Sequence, residues 1–388
     1  MPAPSEPATF RAALPALLAL ASLFLLNFLS RVSLSPLMPV IERDLGMGHA
    51  GSGGLFLLVA LGYGLGLLLQ GAVSERLCHR TVIGLSGLGL GAALCCGALC
   101  PTPWGFKASM SLVGLFAGAY LPSGIATLTT LTRRQDWGKA LAVHELAPNI
   151  SFVLAPLLAE AVIALLSWRF VLGLLGVLQI AGGAVYLRRG RGEGIFGQAP
   201  RPALIRELLS RPRFWALSLL FGLAFGASVG AYSMIPLYLV RERGLSREAA
   251  NQLLAVSRVS GPFASFAAGF LTDRFGYRPT LAAALLLSGL ATALLGPLPQ
   301  PLLVAGLLTQ PFVAVLFFPP GFAALSRLFE PEQRSIVVSL AIPAAIVVGL
   351  GLVPAALGQA GEAGSFALGF AGLGGLVCLG LLALPLLR

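Results

Sequence analysis

Charge is what this chain has least of. Asp, Glu, Lys and Arg make up only 11% of its 388 residues, against 57% apolar residues, and the mean hydropathy is +0.88. No ordinary soluble domain combines those values, so a water-soluble fold is excluded and a polytopic membrane protein is expected. Acids are scarcer than bases, 15 against 26, for a net charge of +11. That excess does not imply nucleic acid, because the bases lie in short loops between apolar spans rather than on one soluble face. The 3 histidines and 5 cysteines offer no metal-ligand spacing and no disulfide framework. Cys95, Cys96 and Cys100 share one apolar run and read as small hydrophobic side chains. A phosphate-binding loop, a zinc motif and a nucleophile constellation are also missing, so ATP-driven pumping and intramembrane hydrolysis have no residues to rest on. The chain is not expected to be an enzyme, and neither a cofactor nor a metal is called for.

What the chain has in abundance is apolar runs long enough to cross about 30 Å of hydrocarbon. Residues 1–11 form a short polar tail. The run from Ala12 to Pro39 lacks the small-residue cleavage site of a signal peptide, so it counts as the first span. Further spans are expected near 53–74, 81–100, 105–131, 138–163 and 167–187, then near 214–239, 249–271, 280–298, 301–328, 334–357 and 363–387. Between the two sets, Arg188 to Arg213 is rich in arginine and too polar to cross, with a surface helix expected over Ala203–Ser210. The reading is an all-α polytopic membrane protein with 12 transmembrane helices in two pseudo-symmetric six-helix bundles. The expected domains are 1–187, a cytoplasmic linker 188–213, and 214–388. Most of the lysines and arginines fall in segments on the side of both termini, which places those termini in the cytoplasm of a cell (inner) membrane protein.

Two short charged knots support the duplication. Gly269, Asp273, Arg274 and Arg278 repeat, 198 residues later, the spacing of Gly71, Glu75, Arg76 and Arg80. In each, a small residue near the end of one span permits close approach, an acid and a base follow at its tip, and a second base opens the next span. The pattern resembles the loop signature of the major facilitator superfamily between helices 2 and 3 and between helices 8 and 9. The second copy is nearly complete, while the first has Glu75 for the usual Asp and Cys78 and His79 where glycine is expected. The Trp168-Arg169 pair, the Gly118–Pro122 run and the long basic central loop extend the resemblance over essentially the whole chain. It implies a monomeric two-bundle transporter working by alternating access, with both knots in gating.

Two bases lie inside spans, Arg31 and Arg258. A central arginine costs about 2.5–3.5 kcal/mol even on the lenient insertion scale, so each should face a partner or a wet cavity. Asn27 and Ser35 lie one turn either side of Arg31 on the same face. A guanidinium fork suits carboxylate or phosphate, and Arg31 and Arg258, from opposite repeats, are expected to converge on one small organic anion at the midplane. The alternative is structural, with either arginine bonded to helix carbonyls or paired with an acid such as Glu145 or Glu160. The stretch from Asn27 to Gly46 resembles helix 1 of the superfamily's organic-anion branches, the organophosphate:phosphate antiporters and anion:cation symporters. That resemblance implies that Arg31 meets the anionic group. Tyr120 and Thr127, Asn149, Ser228 and Tyr232, and Gln310 could complete a site for a small polar ligand, or could equally join helices.

Glu145 with His144 beside it is the expected proton-coupling pair, because a buried carboxyl near an imidazole can change protonation as water access changes. Anchoring the end of span 5 is the bland alternative. Phe317-Phe318-Pro319-Pro320 reads as a hinge. The expected function is secondary transport of a small organic anion, a carboxylate or a phosphorylated compound, coupled to protons or to anion exchange. The alternatives are a multidrug or lipophilic-compound efflux antiporter, for which Ala155-Pro156 is a partial match to the expected glycine-proline signature, and a non-transporting receptor on the same fold.

Overall fold

The computed structural model describes residues 8–197 and 202–387. Among the described residues, 12 helices are long and apolar enough to cross a membrane. They are α1 Phe10–Leu45, α2 His49–Arg76, α3 His79–Leu99, α4 Pro103–Leu131, α5 Arg134–Ile163 and α6 Trp168–Arg189. After the central loop come α7 Pro212–Arg241, α8 Arg247–Phe275, α9 Tyr277–Leu294, α10 Gln300–Leu328, α11 Ile336–Glu362 and α12 Phe366–Leu387. The expected all-α membrane architecture is what forms. A short helix, Pro202–Leu209, occupies the place expected for a surface helix in the loop.

Packing divides the chain into two compact units. One holds the described residues up to Ser33 together with Leu61 to Gly197, and the other holds Leu34–Ala60 with the C-terminal helices. The division falls at Ser33, where a turn separates the two helical segments of α1, and inside the unbroken α2 at Ala60. The last turns of α1 and the first half of α2 therefore pack with α7, α8 and α11. Ser35 Oγ donates to Tyr232 O at 2.8 Å and Asn251 Nδ2 to Pro36 O at 3.3 Å.

Within each unit, small residues let helices touch backbone to backbone, which is the main way apolar helices can gain from association when lipid competes equally for their side chains. In the first unit α3 lies against α6: a Cβ on Gly91 would sit 2.5 Å from Gly176 O, and one on Gly183 would sit 2.8 Å from Gly84 O. The second unit repeats this between α9 and α12, where Gly289 faces the Gly374 carbonyl.

Helix interruptions fall where the sequence removes or displaces hydrogen bonds. The α10 helix breaks at Leu316–Phe317 and restarts with Pro319 in its first turn, because proline cannot donate to the preceding turn. Segments Gly226–Gly230 of α7 and Val347–Leu352 of α11 widen into π-helix.

Charged side chains close helix ends. Arg169 Nη1 donates to the Ala98 and Cys100 carbonyls at 3.1 and 2.6 Å, capping α3. Arg243 does the same for α9 through the Leu295 and Gly296 carbonyls. Both place a cation on the negative end of a helix. Next to Arg243, Glu242 accepts from the Phe366 and Ala367 amides at the start of α12 at 2.5 and 3.2 Å. Glu362 likewise accepts from Ala50 N at the start of α2, at 3.3 Å. Glu42 is 4% exposed and takes His49 Nδ1 at 2.9 Å, Ser52 Oγ at 2.8 Å and Arg241 Nη2 at 3.5 Å.

Glycine substitutions test the packing directly. Gly91→Val should destabilise the protein by about 3 kcal/mol or more, because backbone of α6 blocks the added atoms. Gly372→Val should be tolerated, since nothing lies within 4 Å of a Cβ there. Thermal unfolding of the two variants in one detergent checks the difference.

Candidate functional site

Arg31 occupies the last turn before the break in α1. Its guanidinium carbon lies 4.2 Å from the ring centroid of Tyr63 on α2 and 5.0 Å from that of Phe28. Asn27 accepts from Nη2 at a long 3.5 Å. Asn27 is itself fully buried and held by donation to Ala117 O on α4 at 3.2 Å. Among the described residues no carboxylate pairs with Arg31, and its Nε is buried with no hydrogen-bond partner. Aromatic faces can stabilise a guanidinium but leave its in-plane donors unused. The Tyr63 hydroxyl also bonds the guanidinium, so Arg31 is held by Tyr63 and Asn27 with its Nε left over, and it remains partly exposed.

Beside it stands a three-ring stack. Phe24 stacks over both the phenol and the imidazole, 5.4 Å from Tyr120 and 4.2 Å from His144, which lie side by side 6.0 Å apart with all planes nearly parallel. The Tyr120 hydroxyl donates to Leu20 O at 2.7 Å. Its proton is thereby committed, so the 3.3 Å contact with His144 Nε2 must be a donation from the ring. Nδ1 of the same ring is 3.3 Å from Glu145 Oε1. The His144 ring thus bridges the Tyr120 hydroxyl and the Glu145 carboxyl.

His144 is fully buried, while the Glu145 side chain is 55% exposed. A carboxylate exposed within a spanning helix belongs on a surface that water reaches, since lipid contact would be costly. Asn149, one turn on, is exposed too and donates to Glu145 O at 2.9 Å. Phe152 meets the ring of Phe28 edge-on at 5.3 Å. Arg31, Asn27, Tyr120, His144, Glu145 and Asn149 are thus gathered within the first unit on α1, α4 and α5.

In the second unit Arg258, Ser228, Tyr232 and Gln310 meet at the π segment of α7. Arg258 is 7% exposed and donates through Nη2 to Ser228 O at 2.7 Å and through Nη1 to Ser228 Oγ at 3.5 Å. Its guanidinium lies 4.5 Å from the Tyr232 ring. Gln310 donates to Ala227 O at 2.7 Å and to Thr292 Oγ1 at 3.0 Å. A π-helical turn shifts backbone bonding out of register and leaves acceptors for side chains, and these two donors take adjacent carbonyls of that turn. Arg258 is therefore bonded to a helix carbonyl and the hydroxyl of the same residue, the structural alternative open from the sequence.

The two charged knots are built differently. Gly276 makes its turn with φ +86°, whereas Cys78 at the matching position has φ −63°, since left-handed backbone disfavours a side chain. The central loop returns to the first knot instead: Arg80 pairs with Glu193 at 2.8 and 3.0 Å, and His79 N donates to Ile195 O at 2.9 Å. In the second knot Arg278 donates to Leu387 O at the end of α12, at 2.9 Å. Gly71 is half-buried, and Glu75, Arg76, Asp273 and Arg274 are exposed.

Sequence reasoning did not find Tyr63 or Glu42. Tyr63 offers no charge or motif, and its role exists only because α2 turns it onto Arg31. Glu42 was traceable as the acid that ends the polar face carrying Arg31 and Ser35.

Comparison with known proteins follows the same lines. Residues 20–263 match the family described as Major Facilitator Superfamily. Among curated relatives, the puromycin resistance protein pur8 of Streptomyces alboniger is 29% identical over 136 residues, covering 35% of this chain and 27% of its own length. The membrane sensor protein UhpC of Salmonella typhimurium is 24% identical over 274 residues, covering 65% of this chain and 62% of its own. The chain thus spans less than two thirds of either curated relative. Among solved structures, a bacterial homologue of the human lysosomal transporter Spinster superposes with a TM-score of 0.78 at 18% identity, over 98% of this chain and 95% of that one. A D323A mutant of the nucleoside transporter NupG superposes with a TM-score of 0.80 at 17% identity, over 96% and 99%. At such identities the likeness is one of fold.

The bonds of Arg258 to Ser228 predict a stability effect. Arg258→Met should lower thermal stability by about 1.5–3 kcal/mol, the range for charged hydrogen bonds, whether or not any ligand is present. Denaturation in detergent without ligand measures it.

Proposed function

The chain belongs to the major facilitator superfamily, and from that premise we propose that it moves a small organic anion across the membrane by alternating access. The observation that carries this reading is Arg31, a guanidinium in a spanning helix with aromatic faces, no acid partner among the described residues and an unbonded Nε. A carboxylate or phosphate would fill that fork with charge-assisted bonds worth more than neutral ones. We assign the anion contact to Arg31, with Asn27 positioning it, and to Arg258 the support of the π segment that carries Ser228. Tyr232 and Gln310 belong to the same support. Tyr120 and Asn149 hold the coupling pair in place.

His144 and Glu145 are proposed to carry the coupling proton, because imidazole and carboxyl lie 3.3 Å apart and the Glu145 side chain is 55% exposed. Moving that proton changes the charge of the water-facing carboxyl beside the anion site. Gly71, Glu75, Arg76 and Arg80, and Gly269, Asp273, Arg274 and Arg278, are assigned to conformational change rather than to ligand contact. The protein is proposed to act as a monomer in a cell (inner) membrane with both termini inside.

Efflux of a lipophilic compound is the second reading. The segment shared with a puromycin resistance protein favours it, as do the rings of Phe24, Phe28, Tyr63 and Phe152 around the site. The resemblance to a membrane sensor adds a third outcome, binding without transport. Purified protein screened by thermal shift against small carboxylates, sugar phosphates and lipophilic cations, followed by uptake into proteoliposomes, separates all three.

On the anion reading, Arg31→Lys keeps the charge and loses the fork, and should weaken anion binding by about 1.5–3 kcal/mol. Calorimetric titration reads the change, and undiminished affinity would remove Arg31 from the site. Glu145→Gln should leave anion binding and exchange intact but abolish accumulation driven by a pH gradient. Accumulation equal to that of the unaltered protein would assign Glu145 to structure.

A further inference from the structure

One cavity lies away from the site just described. It has a volume of about 500 Å³ and is enclosed by the start of α1, Leu131 at the end of α4, and the end of α6. Its α1 wall is Ala12, Ala13, Pro15, Ala16 and Ala19, all small and apolar. The opposite wall is Tyr186, Arg189 and the loop residue Arg191. Tyr186 is buried, and its hydroxyl donates to Arg191 O at 3.0 Å, which fixes the loop against the helix. Arg189 and Arg191 are exposed and form no ion pair among the described residues. The segment before α1 closes one end, held by Ala8 N to Leu131 O at 3.0 Å and by Phe10 N to Asp136 Oδ2 at 3.3 Å.

The surroundings decide what fills such a space. Large apolar side chains on the same two helices face outward, Leu18 at 51% and Val185 at 59% exposure. Val185 lies one turn before Arg189 on the same face of α6. Outward apolar side chains on spanning helices are what a bilayer covers, so acyl chain is the medium expected near the mouth of the cavity. Both guanidiniums sit where α6 ends, at the depth of the headgroups. Apolar floor and cationic rim together match one molecule with an apolar tail and an anionic head.

We propose that this cavity is a binding site for an anionic phospholipid, with the phosphate between Arg189 and Arg191 and the upper acyl chain along Ala12, Ala16 and Ala19. The site is independent of the transported substrate and requires only that the helices span a membrane. Bonded there, the lipid ties α1 to α6 beside the central loop that returns to the first charged knot.

The test uses the full chain purified from micelles holding equal phosphatidylglycerol and phosphatidylcholine with matched acyl chains, and counts retained lipid by native mass spectrometry. One phosphatidylglycerol should be retained in preference to phosphatidylcholine by about thirtyfold, roughly fivefold for each arginine near a headgroup. The double variant Arg189→Gln and Arg191→Gln should bring that ratio to within about twofold. Ala16→Phe should reduce retention of both lipids by filling the groove. Because both arginines are exposed, the double variant stands alone as the test if Ala16→Phe does not fold. Equal retention of the two lipids overturns the proposal, and so does an unchanged ratio in the double variant. Inorganic phosphate added in excess should leave the lipid bound. Its complete displacement by phosphate would overturn the lipid site in favour of a simple anion site.

Discussion

Lipid cannot hydrogen-bond, and that constraint governs where most charges inside or beside the spans of this protein sit. Helix ends and π-helical turns are the places where spanning backbone has acceptors or donors to spare. The few charged side chains are placed at them: Arg169 and Arg243 on the carbonyl ends of α3 and α9, Glu242 and Glu362 on the amide ends of α12 and α2. Arg258 and Gln310 serve the displaced carbonyls of α7. With only 15 acids in the chain, backbone rather than carboxylate is the usual partner of a buried base.

Arg31 stands out against that pattern. It has rings above and beside it, a bond to Tyr63 and a long bond to Asn27, and no carboxylate pairs with it among the described residues. The neighbouring chain from Leu20 O through Tyr120 and His144 to Glu145 leads from buried backbone to an exposed carboxylate. Arg31 and the His144–Glu145 pair thus lie on adjoining helices of one compact unit. In a transporter their charges would act on each other at short range, in surroundings of low polarity where such coupling is strong.

The two halves repeat their packing more faithfully than their chemistry. Close glycine contacts join α3 to α6 and α9 to α12 alike, and each knot ends with an arginine tied to the end of its bundle's last helix or the loop beyond. The intramembrane arginines differ: one rests on a tyrosine and bonds only side chains, and the other rests on a tyrosine and bonds the Ser228 carbonyl. A duplicated scaffold can keep its backbone contacts while one copy of a side chain is turned to structure and the other to ligand.

Hydropathy and spacing are local properties, so the chain by itself determined the number of spans, the duplication, the basic loops, the break near Phe317 and the placement of Arg31 and Arg258 inside helices. Those features need only the polarity of a segment and the three or four residues on either side. Partnerships such as Glu42 with Arg241, Glu242 with the start of α12, and Tyr63 with Arg31 depend on how far each helix is rotated about its axis. That rotation is set by glycine-to-backbone contacts with helices distant in sequence. Tertiary structure therefore decided which arginine is bonded to a helix carbonyl, which acid is buried, and where two arginines beyond a span frame a cavity, because each depends on a neighbour that no local pattern names.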